Sequence, residues 1–310
     1  MVAAVFHTPI EAVPPRADGS DAKPRALPAS EAVALPKAPA EPAKPLKPPR
    51  EPIDWRAVAG VVLPPIAGLA LLIGIWALLT QKGGSFPTPA ATWEAAVKLF
   101  SRPFYSNGPN DQGIGWNVLE SLQRVGLGFG LAALIGIPLG FLLGRVALLN
   151  RMISPLISLL RPVSPLAWLP IGLLVFKSAN PAAIWTIFIC SIWPMLINTA
   201  MGVQRVPQDY LNVARVLNLS EWKIATRILL PAVMPYLLTG VRLSVGTAWL
   251  VIVAAEMLTG GVGIGFWVWD EWNNLNVAHI IIAIFVIGFV GLVLEWTLLA
   301  VARRFDYQNI

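Results

Sequence analysis

Cysteine occurs once in this sequence, at Cys190, and histidine twice, at His7 and His279. A single thiol builds neither a disulfide framework nor a cysteine-rich metal site, and two distant histidines do not make a metal centre. Charge is scarce as well: 13% of residues are Asp, Glu, Lys or Arg, against 56% hydrophobic. With a mean hydropathy of +0.65, that balance excludes an ordinary water-soluble domain and places the chain in a bilayer. No Gly-x-x-x-x-Gly-Lys-Ser/Thr segment is present, so nucleotide phosphates are not cradled here in the usual way. The Gly-rich run Gly261-Val-Gly-Ile-Gly265 follows an apolar segment rather than a strand and reads as a tight loop or broken helix. Alternating ten-residue segments, the mark of a membrane β-barrel, are missing too. What remains is an all-α, polytopic membrane protein.

Long apolar runs are what the sequence does have. Six of them, Ala57–Leu79, Val118–Leu143, Ile153–Phe176, Ala182–Met201, Ile228–Ala255 and His279–Ala302, are each long enough to cross roughly 30 Å of hydrocarbon as a helix. Short loops and one longer tail fill the rest of the 310 residues, which leaves no room for a fused ATPase domain. Residues 1–52 are a different polymer, rich in Ala and Pro, as in Pro42-Ala-Lys-Pro-Leu-Lys-Pro-Pro-Arg50. They are expected to form a disordered tail before a transmembrane domain over 53–310. The opening Val2-Ala-Ala-Val-Phe6 is too short for the apolar region of a signal peptide, so the tail is expected to stay attached.

The net charge of +6 reports topology rather than nucleic-acid binding, because Lys and Arg cluster in the tail and at the ends of apolar runs. Lys47, Arg50, Arg56, Arg145, Arg151, Arg205, Arg215, Lys223, Arg227, Arg303 and Arg304 fall on one side; Lys82, Lys98, Arg102 and Lys177 fall on the other. The positive-inside rule then places both termini in the cytoplasm. In the first outside loop, Pro89 opens a segment with Trp93, Val97 and Phe100 on one face, which predicts an interfacial helix. The inside loop at 204–231 predicts two short amphipathic helices. One runs from about Gln208 to Leu217, with Tyr210, Val213 and Leu217 on a stripe and Asn218 as its left-handed stop. Ser220 caps the second. The pair forms a helical knob, against the simpler reading of a hairpin lying on anionic lipid.

That loop resembles the EAA loop of ATP-binding-cassette (ABC) importer permeases: Glu-Ala-Ala, three residues, Gly, nine residues, Ile, one residue, Leu-Pro. Asn212-Val213-Ala214, Asn218, Ile228, Leu230 and Pro231 stand at those positions, with Asn in place of both the Glu and the Gly. Ser121-Leu-Gln-Arg-Val-Gly-Leu-Gly-Phe-Gly130, Gly136-Ile-Pro-Leu-Gly140, Arg161-Pro-Val-Ser-Pro-Leu-Ala-Trp-Leu-Pro170 and Gly240-Val-Arg-Leu-Ser-Val-Gly-Thr-Ala-Trp249 resemble the branch that imports nitrate, sulfonates, taurine and bicarbonate. Val251–Leu258, Gly263-Ile-Gly-Phe-Trp-Val-Trp-Asp-Glu-Trp-Asn-Asn274 and Arg303-Arg-Phe-Asp-Tyr307 look most like its nitrate, nitrite, cyanate or bicarbonate permeases. The resemblance spans about residues 55–308 and implies the transmembrane domain of a type I ABC importer in a bacterial inner membrane. It implies a second permease copy, two separate cytoplasmic ATPases that carry the ATP and Mg, an extracytoplasmic solute-binding protein and a small anion as substrate. Asn212, Val213, Ala214, Arg215, Leu217, Asn218 and Pro231 become the candidates for coupling to the ATPases.

Other residues are singled out by membrane chemistry. Pro162, Pro165 and Pro170 bend the third span and free carbonyls, which turns Ser164 and Trp168 into candidates for the pathway. Thr247 and Trp249 on the fifth span offer a hydroxyl and an indole N–H; core packing is the competing reading for all four. Counting 1.5 Å per residue, Arg124 matches the depth of Glu256 near the outer ends of their spans, and Arg242 matches Glu295 in the inner half. Each Arg is expected to be neutralised by the acid at its own depth, although Glu256 also reads as a gate or proton site. His279 is expected at an interface. A secondary transporter would need inverted repeats and central carboxylates, and a membrane enzyme a cluster richer than Asp270, Glu271 and His279. The permease reading leads, with no catalytic role for this chain.

Overall fold

The computed structural model describes residues 55–304 apart from 82, 84, 85 and 110, with backbone alone at 55–59, 61, 62, 303 and 304. The expected N-terminal tail lies outside the described residues. The chain runs α1 Trp55–Thr80, α2 Pro89–Ser101, α3 Ile114–Arg145, α4 Ala147–Leu160, α5 Pro165–Phe176, α6 Ala179–Gln204, α7 Gln208–Val216 and α8 Glu221–Ile224. A π-helical turn, Ala225–Leu229, then leads into α9 Leu230–Thr259, followed by α10 Ile264–Asn273 and α11 Val277–Arg304. Among the described residues, pairing of the β kind is limited to an isolated bridge between Ser106 and Gln112. Among the described residues, five helical stretches are long and apolar enough to cross a membrane, or six if α4 and α5 count as one broken span.

α6 is the axis of the bundle, packed against α3 on one side and α9 on the other. The α3 contact depends on a small-residue stripe at every fourth position: Gly128, Ala132, Gly136, Gly140 and Gly144. A Cβ at Gly140 would stand 2.6 Å from Thr199 Cβ, and one at Gly144 2.4 Å from Val203 Cβ. Only glycine lets the two backbones approach this closely, as small residues do at helix interfaces in membranes. Ile187, Met195, Thr199 and Val203 fill the facing side of α6, all buried. α1 and α11 keep long apolar faces exposed, including Leu71, Leu79, Phe289 and Trp296, as lipid-facing helices do.

The third apolar run is not the single helix expected over Ile153–Phe176. α4 and α5 meet at 100°, and the reason is local. Pro162 and Pro165 have no N–H to continue the ladder, and Pro165 drives Ser164 into an extended conformation, with ψ at 134°. α5 ends at Lys177, whose φ of 52° is left-handed and whose N–H donates to the Leu173 carbonyl. The expected helix after the first span is present as α2. Thr88 caps it by accepting from the Ala91 N–H, Pro89 opens it, and Trp93, Val97 and Phe100 are exposed.

Candidate functional sites at the two ends of the bundle

At one end, the chain between α6 and α9 folds into a helical hairpin. Val203, Val206, Ala214, Ile224, Leu229 and Val233 bury themselves in a small core that clamps α7 onto the start of the α9 rod. The turn after α7 is a Schellman closure: Asn218 N–H donates to the Arg215 carbonyl and Leu219 N–H to the Ala214 carbonyl. Asn218 occupies the left-handed position with φ at 49°, which explains how Asn stands where a glycine belongs. Asn tolerates this region far better than other residues with a side chain. The Ser220 hydroxyl then caps α8 by accepting from Lys223 N–H at 3.4 Å.

α8 is not a second free-standing short helix, as the sequence suggests. It passes through the π-helical turn, where Leu230 N–H reaches back to the Ala225 carbonyl, straight into α9. Pro231 follows directly on that π-helical turn, so its missing N–H falls inside a continuous helix, beside the irregular turn that accommodates it. Ala214 is buried at 1% exposure beneath the knob, whereas Tyr210, Val213, Val216, Leu217 and Trp222 keep their apolar side chains outside. Asn212 and Arg215 are exposed beside them. Arg145 at the end of α3 meets Glu221 at 2.5 Å, and Arg205 lies over the Tyr236 ring at 5.2 Å. The hairpin therefore offers an apolar, positively bordered face on a base that is tied down.

At the other end, Arg124 and Glu256 are brought together from α3 and α9. Arg124 Nη1 donates to Glu256 Oε1 and to the Val262 carbonyl, and its Nε donates to Asn180 Oδ1. Glu256, 1% exposed, also accepts from the Ser121 hydroxyl at 2.8 Å and from Gly265 N–H at 3.0 Å. Asn117 Oδ1 accepts from Gly263 N–H, and Ser121 Oγ from Ile264 N–H. The Gly-rich run is thus a tight loop wrapped on a carboxylate. A Cβ on Gly263 would lie 2.4 Å from the Glu256 carboxyl carbon. Asn117 and Ser121 were not singled out from sequence, although their spacing with Arg124 puts all three on one face of α3. Arg242 and Glu295 also meet, between α9 and α11, in an exposed pair.

The four pathway candidates are placed as follows. Ser164 stands exposed at the break before α5, and Trp168 is half-buried against the main apolar cluster. Thr247 donates its hydroxyl to the Leu243 carbonyl. Trp249 corrects the expectation of a free donor, because its indole N–H is held by the Ile287 carbonyl at 3.0 Å and its ring is buried. His279 lies 3.0 Å from Glu271 and stacks on Trp267 with 5.7 Å between centroids. Among the described residues no cluster suited to a metal ion is present. Near α2, burial and the neighbouring Asp111 push the Tyr105 hydroxyl above the usual phenol range.

Residues 136–307 match the family model described as a binding-protein-dependent transport system inner membrane component. The nitrate import permease protein NrtB of Leptolyngbya laminosa is 46% identical over 242 residues, covering 78% of this chain and 87% of that protein. The bicarbonate transport system permease protein CmpB of Synechocystis sp. is 45% identical over 245 residues, covering 78% and 88%. In fold, the chain is similar to an inward-facing MetNI methionine ABC transporter, with a TM-score of 0.53 and 15% identity over 61% of this chain and 94% of that one.

Proposed function

The chain belongs to the family of binding-protein-dependent transport system inner membrane components, and on that premise we propose that it is the permease subunit of an ATP-driven importer for a small inorganic anion, nitrate in the first place. The relatives named as nitrate import permeases support nitrate. The bicarbonate permease at 45% identity makes bicarbonate the second reading. The observation that carries the importer reading is the hairpin. Its apolar residues Tyr210, Val213, Val216, Leu217 and Trp222 are exposed together at one end of the bundle, as the residues of an interaction surface are.

In this reading the hairpin faces the cytoplasm and docks on one of two separate ATPases, which hold the ATP and Mg. Both termini share that side. A solute-binding protein delivers the anion to the opposite face, and a second copy of this chain completes the membrane pathway. The chain itself does no chemistry. Closure of the ATPases on ATP moves the hairpin, the α8–α9 rod follows, and the bundle turns from inward-facing to outward-facing as rigid bodies. Hydrolysis lets the pair relax and release the anion inside.

Uptake of labelled nitrate, nitrite, bicarbonate, cyanate and a sulfonate into cells lacking this gene, and into cells with it restored, tests the substrate. Restoration of nitrate uptake is expected. Restoration of bicarbonate uptake alone would move the reading to bicarbonate, and uptake that persists without the ATPases would overturn it.

A further inference from the structure

Two cavities adjoin at the hairpin end of the bundle. The larger, about 650 Å³, lies between α4 and the hairpin-side half of α6, and the smaller, about 410 Å³, shares Asn150 and Gln204 with it. α4 lines the larger one with Asn150, Ser154, Ser158 and Arg161. Steps of four, four and three place these on a single face of the helix. The smaller cavity adds Gln208 and Arg215 from the hairpin, and Arg145. No carboxylate lines either one. The result is a row of hydroxyl and amide groups with a guanidinium at each end.

Arg161 is the unusual member. It closes α4 at the break in the third span, roughly 20 Å along the helix from Ala147 at 1.5 Å per residue. Arg124 on α3 and Arg242 on α9 each meet a glutamate; among the described residues no carboxylate lies within salt-bridge distance of Arg161, nor of Arg151 earlier on α4, and of these two Arg161 is the one that lines the cavity. An uncompensated arginine at membrane depth is costly unless it faces water or an anion. Ser158 donates its hydroxyl to the Ser154 carbonyl and Ser154 its own to Asn150 Oδ1, which leaves the Asn150 amide N–H groups for another acceptor. Glutamate and aspartate are absent from the lining, so the groups an anion meets between Arg161 and Arg215 are the two guanidiniums and the Asn150 amide, with no carboxylate in the wall.

We infer that this face of α4 is the release path of the transported anion, with Arg161 as its deep contact. The ligand is a small monovalent anion, held briefly by the guanidinium and passed along the α4 face, by way of the Asn150 amide, toward Arg215 at the mouth. A weak, multi-point path suits conduction, because a site that binds must also let go. The inference rests on the anion-importer reading above.

The test uses the complete importer, with ATPases and binding protein, in proteoliposomes supplied with labelled nitrate. Arg161→Gln is expected to lower uptake by about tenfold or more, the loss of one charge-assisted hydrogen bond, while binding-protein-stimulated ATP hydrolysis continues. Arg161→Lys is expected to retain more uptake than Arg161→Gln. In Arg161→Cys, a trimethylammonium methanethiosulfonate is expected to restore uptake and the sulfonated reagent is not. Cys190 is buried, which leaves the wild type as the unreacted control. Ser158→Cys keeps Arg161 and asks the question without touching it: the sulfonated reagent should block uptake, and nitrate should slow the labelling. Wild-type uptake in Arg161→Gln, equal rescue by both reagents, or labelling of Ser158→Cys that nitrate does not slow would overturn the inference and leave the importer reading standing. A wild-type importer that moves neither nitrate nor bicarbonate would overturn both.

Discussion

Arg124 Nη1 lies 2.6 Å from Glu256 Oε1, across 132 positions of sequence, and both side chains are almost fully withdrawn from solvent. Removing one partner leaves the other charged and buried. Arg124→Ala is expected to destabilise the protein by about 3–5 kcal/mol, read as a lowered unfolding temperature in detergent. The double variant Arg124→Met with Glu256→Gln should lose much less, because no orphan charge remains. Equal losses in the single and double variants would show that the pair is not coupled.

Asn218 holds a left-handed turn, with φ at 49°. Asn218→Gly is expected to leave the hairpin intact, since glycine adopts this conformation freely. Asn218→Val should cost about 1–2 kcal/mol and open the α7–α8 junction. Limited proteolysis at the hairpin end reads the difference; equal resistance of the two variants would contradict it.

Leu217 is 64% exposed and contributes little to the chain's own core. Leu217→Glu is expected to keep the unfolding temperature and to lose the ATPases on co-purification. Ala214→Leu should do the reverse in part, because overfilling a buried site costs about 1–3 kcal/mol and dislodges α7. Full retention of the ATPases by Leu217→Glu would remove the hairpin face from the docking surface.

Gly140 meets Thr199 so closely that any side chain collides. Gly140→Val is expected to destabilise the α3–α6 contact by more than about 1–3 kcal/mol, whereas Gly130→Ala, with open space around it, should be tolerated. Thermal unfolding of the two variants separates them.

Trp249→Phe removes one donor from the part-buried Ile287 carbonyl, which lies within α11, a loss of about 0.5–1.5 kcal/mol. The nitrate KM should not change. A raised KM with unchanged stability would return the indole to the pathway.

The apolar runs and the hairpin were legible in the sequence because both follow from local rules. Length and hydropathy mark the spans, Pro89 marks the start of α2, and Asn218 and Ser220 mark the turn between α7 and α8. The depth count that paired Arg124 with Glu256 used only helical rise. What local rules do not reach is which neighbour each group meets. Ser121 and Asn117 look like ordinary small polar residues until α10 folds back over them. Trp249 looks like a free donor until α11 supplies a carbonyl. The break between α4 and α5 had its cause in Pro162 and Pro165, but two prolines bend a helix or snap it according to the packing on either side. The polar row on α4 was obscured for the same reason, since its face is defined only once α6 stands opposite.

Glu221–Thr259 runs 39 residues with no non-helical joint, roughly 58 Å of continuous rod at 1.5 Å per residue. Trp222 is at one tip and the Glu256 carboxylate is near the other. The π-helical turn at Ala225–Leu229, with Pro231 and Pro235 just beyond it, is where this helix can bend; the stretch from there to Glu256 passes a displacement on. In the importer reading proposed above, a force on the hairpin would travel along this helix to the knot of Asn117, Ser121, Arg124 and the glycine loop, making handle and knot two ends of one lever.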